Sequence, residues 1–92
     1  MSGGFFEYRQ YHLGEMADEI QEIIDTNGKE NSNGMCYNYS EATMKEIESA
    51  VTILRLAYIY VRRIDWLVSG DDSEEAFHER LQKEIKEVNK QL

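Results

Sequence analysis

The stretch that decides the fold is residues 40–68, SEATMKEIESAVTILRLAYIYVRRIDWLV, which contains neither proline nor glycine. Ser40 is a favourable N-cap, and a carboxylate at Glu41 suits the positive end of the helix dipole. The stretch therefore predicts one long helix. Apolar residues recur along one face of this helix: Ile47, Val51, Leu54, Tyr58, Val61 and Leu67 or Val68. Others fall on the remaining sides: Ile53, Leu56, Ile59, Tyr60 and Trp66. Two neighbouring helices can cover only part of such a surface, so we expect a homo-oligomer.

Two shorter amphipathic helices flank this stretch. The first carries apolar residues from Leu13 to Ile24 and is ended by Asn27-Gly28, and the last carries Phe77, Leu81, Ile85 and Val88 and runs to about Leu92. We therefore predict an all-α fold over residues 1–92 as a single domain. Two long antiparallel helices and an N-terminal helix form a three-helix assembly. The connection at residues 26–39 contains two Asn-Gly pairs, which predicts a flexible loop.

Composition narrows the classes of protein. The 92 residues carry 10 Lys and Arg against 18 Asp and Glu, a formal net charge of −8 that repels phosphate backbones and argues against a general nucleic-acid binder. No apolar run approaches the ~20 residues that span a bilayer, and the opening residues do not resemble a signal peptide. Cys36, the single cysteine, fits a reducing compartment. We therefore expect a cytoplasmic protein that binds neither membrane nor nucleic acid.

Patterns for catalysis and metal binding are nearly missing. His12 and His78 fall in different predicted helices, with no acid or nucleophile at a recognisable spacing. The acidic run 71–75 lacks the spaced ligands and mid-loop glycine of a calcium loop. We interpret Asp72 and Glu75 instead as a capping box at the start of the last helix. The prediction is a protein that is not an enzyme and uses no cofactor or metal.

Three groups of residues are candidates for ligand binding. The segment Ser2-Gly3-Gly4 near the start contains two glycines that allow an anion to approach the backbone, although a frayed terminus would show the same sequence. Arg55, Arg62 and Arg63 gather on the long helix, where Arg55 and Arg62 share a face. The three suit phosphate or carboxylate, although pairing with acidic neighbours is the simpler explanation. We expect Arg62 to stack on Trp66, one turn along. Tyr8, Tyr11 and Trp66 suit a planar ligand, and equally the edge of a small core.

Both ends of the chain resemble known sequences. Residues 1–8, MSGGFFEY, and residues 65–77, DWLVSGDDSEEAF, resemble a set of small phage and prophage proteins of unassigned function. The likeness does not extend to residues 26–39. It implies a phage protein in the host cytoplasm that acts against host machinery or host defence. It also suggests that the two motifs meet in space and form one composite site.

These observations lead to two hypotheses. The first is a non-enzymatic homo-oligomer that sequesters a small anionic, nucleotide-like host defence signal, with arginines for phosphate and rings for a base. Its candidate ligand-binding residues are Ser2, Gly3, Gly4, Tyr8, Tyr11, Arg55, Arg62, Trp66, Ser69 and Asp71. The alternative is an acidic protein that binds and inhibits a host protein, as a nucleic-acid mimic or an anti-defence inhibitor. A role as a small assembly subunit also remains open.

Overall fold

The computed structural model describes residues 4–30, 34 and 36–89, and within them it contains three α-helices. α1 spans Tyr11–Asp25, α2 spans Glu41–Val68 and α3 spans Glu74–Asn89. The described residues form no strand, only one isolated antiparallel bridge between Glu30 and Cys36. The predicted all-α, three-helix fold is confirmed.

The helix ends are set by local side-chain chemistry. Ser40 begins α2 as predicted, because its side chain accepts a hydrogen bond from the backbone N–H of Thr43. α1 ends at Asp25, and Gly28 follows with a left-handed φ of 84° and donates to the carbonyl of Tyr37. The predicted capping box at Asp72 is wrong. The side chain that accepts from the first turn of α3 is that of Ser73, which bonds the N–H of Ala76.

The helices are arranged as a flat layer with α2 in the middle. α1 runs antiparallel to α2, so Tyr11 packs near Tyr58 and Asp18 reaches Arg55. α3 returns along another side of α2. Within the described residues α1 and α3 each pack on α2 but not on each other, and the principal extents of the chain are 47 × 27 × 14 Å.

The core is small, because α1 and α3 cover only part of the surface of α2. The buried apolar residues are Ala17, Val51, Ile59 and Leu81, and none of the large apolar side chains among the described residues is less than 2 % exposed. Large apolar residues of α2 remain in solvent, with Ile53 64 %, Val68 52 % and Tyr60 45 % exposed. The predicted surplus of apolar surface on this helix is therefore present in the single chain.

The connection between α1 and α2 is held at its two ends. The side chain of Asn27 accepts from the backbone N–H of Tyr39 and donates to the carbonyl of the same residue. Tyr37 and Tyr39 stack with ring centroids 5.4 Å apart. The predicted flexibility of residues 26–39 stays a prediction, and residues 31–33 and 35 lie outside the described residues. In the described part of the chain, no helix has the length and apolarity that a bilayer crossing requires.

Candidate functional site

A buried carboxylate on α2 anchors the N-terminal segment, residues 5–10, which precedes α1. Asp65 is 7 % exposed, and its Oδ1 accepts hydrogen bonds from the backbone N–H groups of Phe5 at 2.5 Å and Phe6 at 3.3 Å. Its Oδ2 accepts from the side-chain amide of Gln10 at 3.3 Å. A carboxylate with two or more such donors satisfies otherwise unpaired backbone groups at low cost. Asp65 therefore fixes where the chain before α1 runs.

The segment between Phe5 and Gln10 takes an unusual backbone path. Glu7 and Tyr8 have left-handed φ values of 53° and 65°. Non-glycine residues adopt this region at a cost, and two in succession persist only where surrounding contacts hold them. The hydrogen bonds to Asp65 provide such contacts. This backbone path places the ring of Tyr8 beside the ring of Tyr11, with their centroids 5.9 Å apart.

A pocket of about 220 Å³ lies between this segment and the C-terminal end of α2. Its walls include the partly exposed rings of Tyr8, Tyr11 and Trp66. The complete lining is Gly4, Tyr8, Gln10, Tyr11, Asp65, Trp66, Ser69 and Asp71. The structure thus brings together Gly4, Tyr8, Tyr11, Trp66, Ser69 and Asp71 of the candidate residues, while Ser2 and Gly3 lie outside the described residues.

The turn after α2 shapes one side of the pocket. The backbone N–H groups of Asp71 and Asp72 both donate to the carbonyl of Trp66, and Gly70 has a φ of 82°. This turn leaves Asp71 exposed and on the pocket lining, while Asp72 turns into the protein. The exposed carboxylate of Asp71 is an acceptor for a ligand that carries N–H groups.

Asp65 and Gln10 were not among the candidate residues. Asp65 lies four residues after Val61 and three before Val68, within the predicted apolar face, and a carboxylate at such a core position is the signal in the sequence that indicates its role. Gln10 is only 3 % exposed although it precedes α1. Nothing in its sequence neighbourhood indicates this burial, which depends on Asp65.

The arginines of α2 are distributed differently from the prediction. Arg63, not Arg62, lies over the ring of Trp66, at 4.7 Å from the centroid. Arg62 instead lies 5.4 Å from the ring centroid of Tyr58 and pairs with Glu84 at 2.5 Å. The predicted stacking of Arg62 on Trp66 is wrong, because α3 draws Arg62 toward its own carboxylate.

Arg55 borders a second, open groove of about 480 Å³ next to the pocket. The groove is lined by Tyr11, Gly14, Glu15, Asp18, Arg55 and Tyr58. Tyr11 belongs to both hollows, and its ring centroid is 5.9 Å from that of Tyr58. Tyr11 therefore lies on the wall that the groove shares with the aromatic pocket. Neither Arg55 nor Arg62 lines the pocket beside Trp66.

A buried ion-pair cluster supports the pocket from behind. The side chain of Asp72 is fully buried and accepts from Arg63 at 3.4 Å and from Arg80. Arg63 is 5 % exposed and approaches Glu84 at 3.8 Å. Because the same Arg63 lies over Trp66, the cluster fixes the position of the indole ring that lines the pocket.

Within the described residues, no three His, Cys, Asp or Glu side chains come together in a way that could hold a metal ion.

Comparisons of the chain with protein-family models, with curated proteins and with solved structures find no match.

Proposed function

We propose that this protein is a non-enzymatic binding protein that captures a small nucleotide-like ligand, with the base in the Trp66 pocket and the phosphate in the groove beside Arg55. The observation that carries the proposal is the position of Tyr11. It forms a wall of both hollows, so one ligand can contact the aromatic pocket and the guanidinium at once. In the context that the resemblance implies, the ligand is a host defence signal and the protein removes it.

The pocket side of the proposal rests on ring faces and an acceptor. Tyr8, Tyr11 and Trp66 are 52 %, 47 % and 42 % exposed, so part of each ring is accessible to a planar partner, while Arg63 lies over one face of Trp66. Stacking of a base on an aromatic side chain contributes about 1–3 kcal/mol. The exposed carboxylate of Asp71 accepts from amino and imino groups, which favours guanine, whose ring N–H and amino group are adjacent donors, over a base with a single donor group on that edge.

The phosphate part of the proposal depends on an ion pair in which a phosphate can take the place of the carboxylate. Arg55 and Asp18 are 3.0 Å apart, and their side chains are 36 % and 74 % exposed. Exposed ion pairs contribute about 0–1 kcal/mol, so breaking the pair between Arg55 and Asp18 costs little. The attraction of Arg55 for a phosphate must then outweigh the repulsion from the Glu15 and Asp18 carboxylates on the groove lining. Arginine binds phosphate through two parallel hydrogen bonds. The overall charge of −8 opposes long nucleic acids, so the proposal is restricted to small ligands.

Capture alone is sufficient for this role. A protein present in excess over a signalling molecule lowers its free concentration according to the dissociation constant of the complex. The pocket and groove need only hold the ligand long enough to compete with its receptor.

Calorimetry and thermal unfolding with a panel of mononucleotides, cyclic nucleotides and the matching nucleosides test the proposal. We expect nucleotides to bind more tightly than nucleosides, Tyr8→Ala to weaken both, and Arg55→Gln to remove the preference for the phosphate. Tyr39→Ala is the matched control, because Tyr39 is similarly exposed, at 41 %, but lies in the loop before α2. The proposal fails if no nucleotide binds, or if Tyr8→Ala and Tyr39→Ala bind equally.

A second candidate function is supported by the exposed carboxylates. Glu15 and Glu19 on α1, and Asp71, Glu74 and Glu75 around the start of α3, are all exposed. Spaced negative charge of this kind is complementary to a basic protein groove. The test is capture of host proteins at low and high salt with wild-type protein and with Glu15→Gln/Glu19→Gln. A partner that is lost at high salt and with this variant supports the idea, and capture that neither changes excludes these carboxylates.

A further inference from the structure

The side of α2 that faces away from α1 and α3 carries an uninterrupted apolar stripe. The outer stripe consists of Ala50, Ile53, Ala57, Tyr60, Ile64 and Leu67, at alternating spacings of three and four residues. This is the repeat that places side chains along one seam of a helix pair. Ile53 and Tyr60 are exposed, and the other four are partly exposed.

The outer stripe contains no charged residue. The four charged residues between positions 50 and 67 of α2 make their contacts with other parts of the chain. Arg55 pairs with α1, and Arg62 pairs with α3. Arg63 reaches Asp72 in the turn before α3, and Asp65 holds the N-terminal segment. In a chain with 18 acidic residues, an uncharged strip of this length is the surface on which two copies can approach without repulsion.

The single chain exposes more surface than a compact protein of its mass. Its accessible surface is 6527 Å², whereas a folded monomer of 10.8 kDa exposes about 5,500 Å². Its radius of gyration is 16.1 Å, against about 12 Å for a compact domain of this length. The difference in area is of the order of the ~800 Å² that each partner buries in a standard interface.

We propose that a second copy of this chain covers the outer stripe, with the two α2 helices antiparallel about a two-fold axis between Ala57 and Tyr60. This inference goes beyond the proposed function and does not depend on it. An axis at that point places Ala57 opposite the partner's Tyr60, Ala50 opposite the partner's Leu67, and Ile53 opposite the partner's Ile64. Each small residue then meets a large one.

Side-chain volume and helix dipoles favour this orientation over a parallel pair. In a parallel pair, Ala50 and Ala57 would each face themselves and leave gaps, while two Tyr60 rings would meet in one layer. The antiparallel pair instead places each alanine opposite a large side chain and Ile53 opposite Ile64. It also places the positive end of each α2 dipole next to the negative end of the other.

Sedimentation velocity of the full chain and of charge variants tests the interface. We expect a dimer that Ile53→Glu weakens about 100-fold or more, because the carboxylate enters an apolar interface twice. Ile53 is 64 % exposed in the single chain, so the variant retains its helix content by circular dichroism. Met16→Glu is the matched control, since Met16 is a 44 % exposed apolar residue on α1, and it leaves the dimer intact.

A second substitution determines the orientation. Ile53→Glu/Ile64→Lys restores the dimer in the antiparallel arrangement, because each new carboxylate faces a new ammonium across the interface. In a parallel arrangement like charges would face each other, and the double variant would be a monomer. The proposal is overturned if the wild-type chain is a monomer, if Ile53→Glu and Met16→Glu behave alike, or if the double variant fails to associate.

Discussion

A side chain on Gly4 would collide with the carboxylate of Asp65: an ideal Cβ at Gly4 lies 2.6 Å from each of the two carboxylate oxygens. Gly4 also has a left-handed φ of 62°. Gly4 and Asp65 are therefore in close contact, and this contact requires glycine at position 4. This contact joins the segment before α1 to the C-terminal part of α2, and both residues line the pocket.

Gly4→Ala should lower the free energy of unfolding by about 1–3 kcal/mol, because the new methyl group must displace Asp65 in a backbone conformation that alanine disfavours. Urea denaturation at one fixed protein concentration measures the change. Gly14→Ala is the control, since a Cβ there meets nothing within 4 Å and Gly14 lies inside α1, where alanine should stabilise by about 0.5–1 kcal/mol. Equal effects of the two substitutions would contradict the contact with Asp65.

Asp65→Ala should release the N-terminal segment and lower the free energy of unfolding by about 2–4 kcal/mol, because two backbone N–H groups and the Gln10 amide lose their acceptor. Hydrogen exchange of the Phe5 and Phe6 amides is the specific measurement, and it should become much faster than in wild type. Asp25→Ala, at the exposed end of α1, should leave those amides protected. Protection that survives Asp65→Ala would rule out the anchoring role.

The sequence predicted what depends on local patterns and missed what depends on how helices cross. The span of α2, its Ser40 cap and its surplus apolar surface follow from residue spacing and from one N-cap side chain. Arg62 and Arg63 point about 100° apart around the axis of α2. Which of the two contacts Trp66 depends on where α3 places Glu84, the partner of Arg62. That crossing is a tertiary property, and no local pattern specifies it.

Burial of Asp72 was missed for a related reason. An acidic residue just before a helix is most simply interpreted as a cap, and Asp72 stands one residue before Ser73, which accepts from the first turn of α3. The turn after α2 rotates Asp72 inward, where Arg63 and Arg80 satisfy it. Only the positions of two arginines from different helices distinguish a buried ion pair from a cap.

Asp72→Ala should therefore be far more damaging than a lost cap, lowering the free energy of unfolding by about 3–5 kcal/mol because Arg63 is left buried beside the ring of Trp66. Thermal unfolding at fixed protein concentration measures the loss. Arg80→Ala removes a partner that is 53 % exposed and should cost only about 0.5–1 kcal/mol. Similar losses in the two variants would show that the buried Arg63 does not depend on Asp72.

Ser40→Ala should lower the free energy of unfolding by about 1 kcal/mol, because the N–H of Thr43 loses its side-chain acceptor at the start of α2. Ser49→Ala is the matched control in the same helix: its hydroxyl bonds back to the carbonyl of Lys45, and alanine has the higher helix propensity. That variant should be neutral or slightly stabilised, by up to about 0.5 kcal/mol. Urea denaturation of both variants at one protein concentration tests the pair. If Ser40→Ala costs no more than Ser49→Ala, α2 does not depend on its cap and is held in place by packing against α1 and α3 instead.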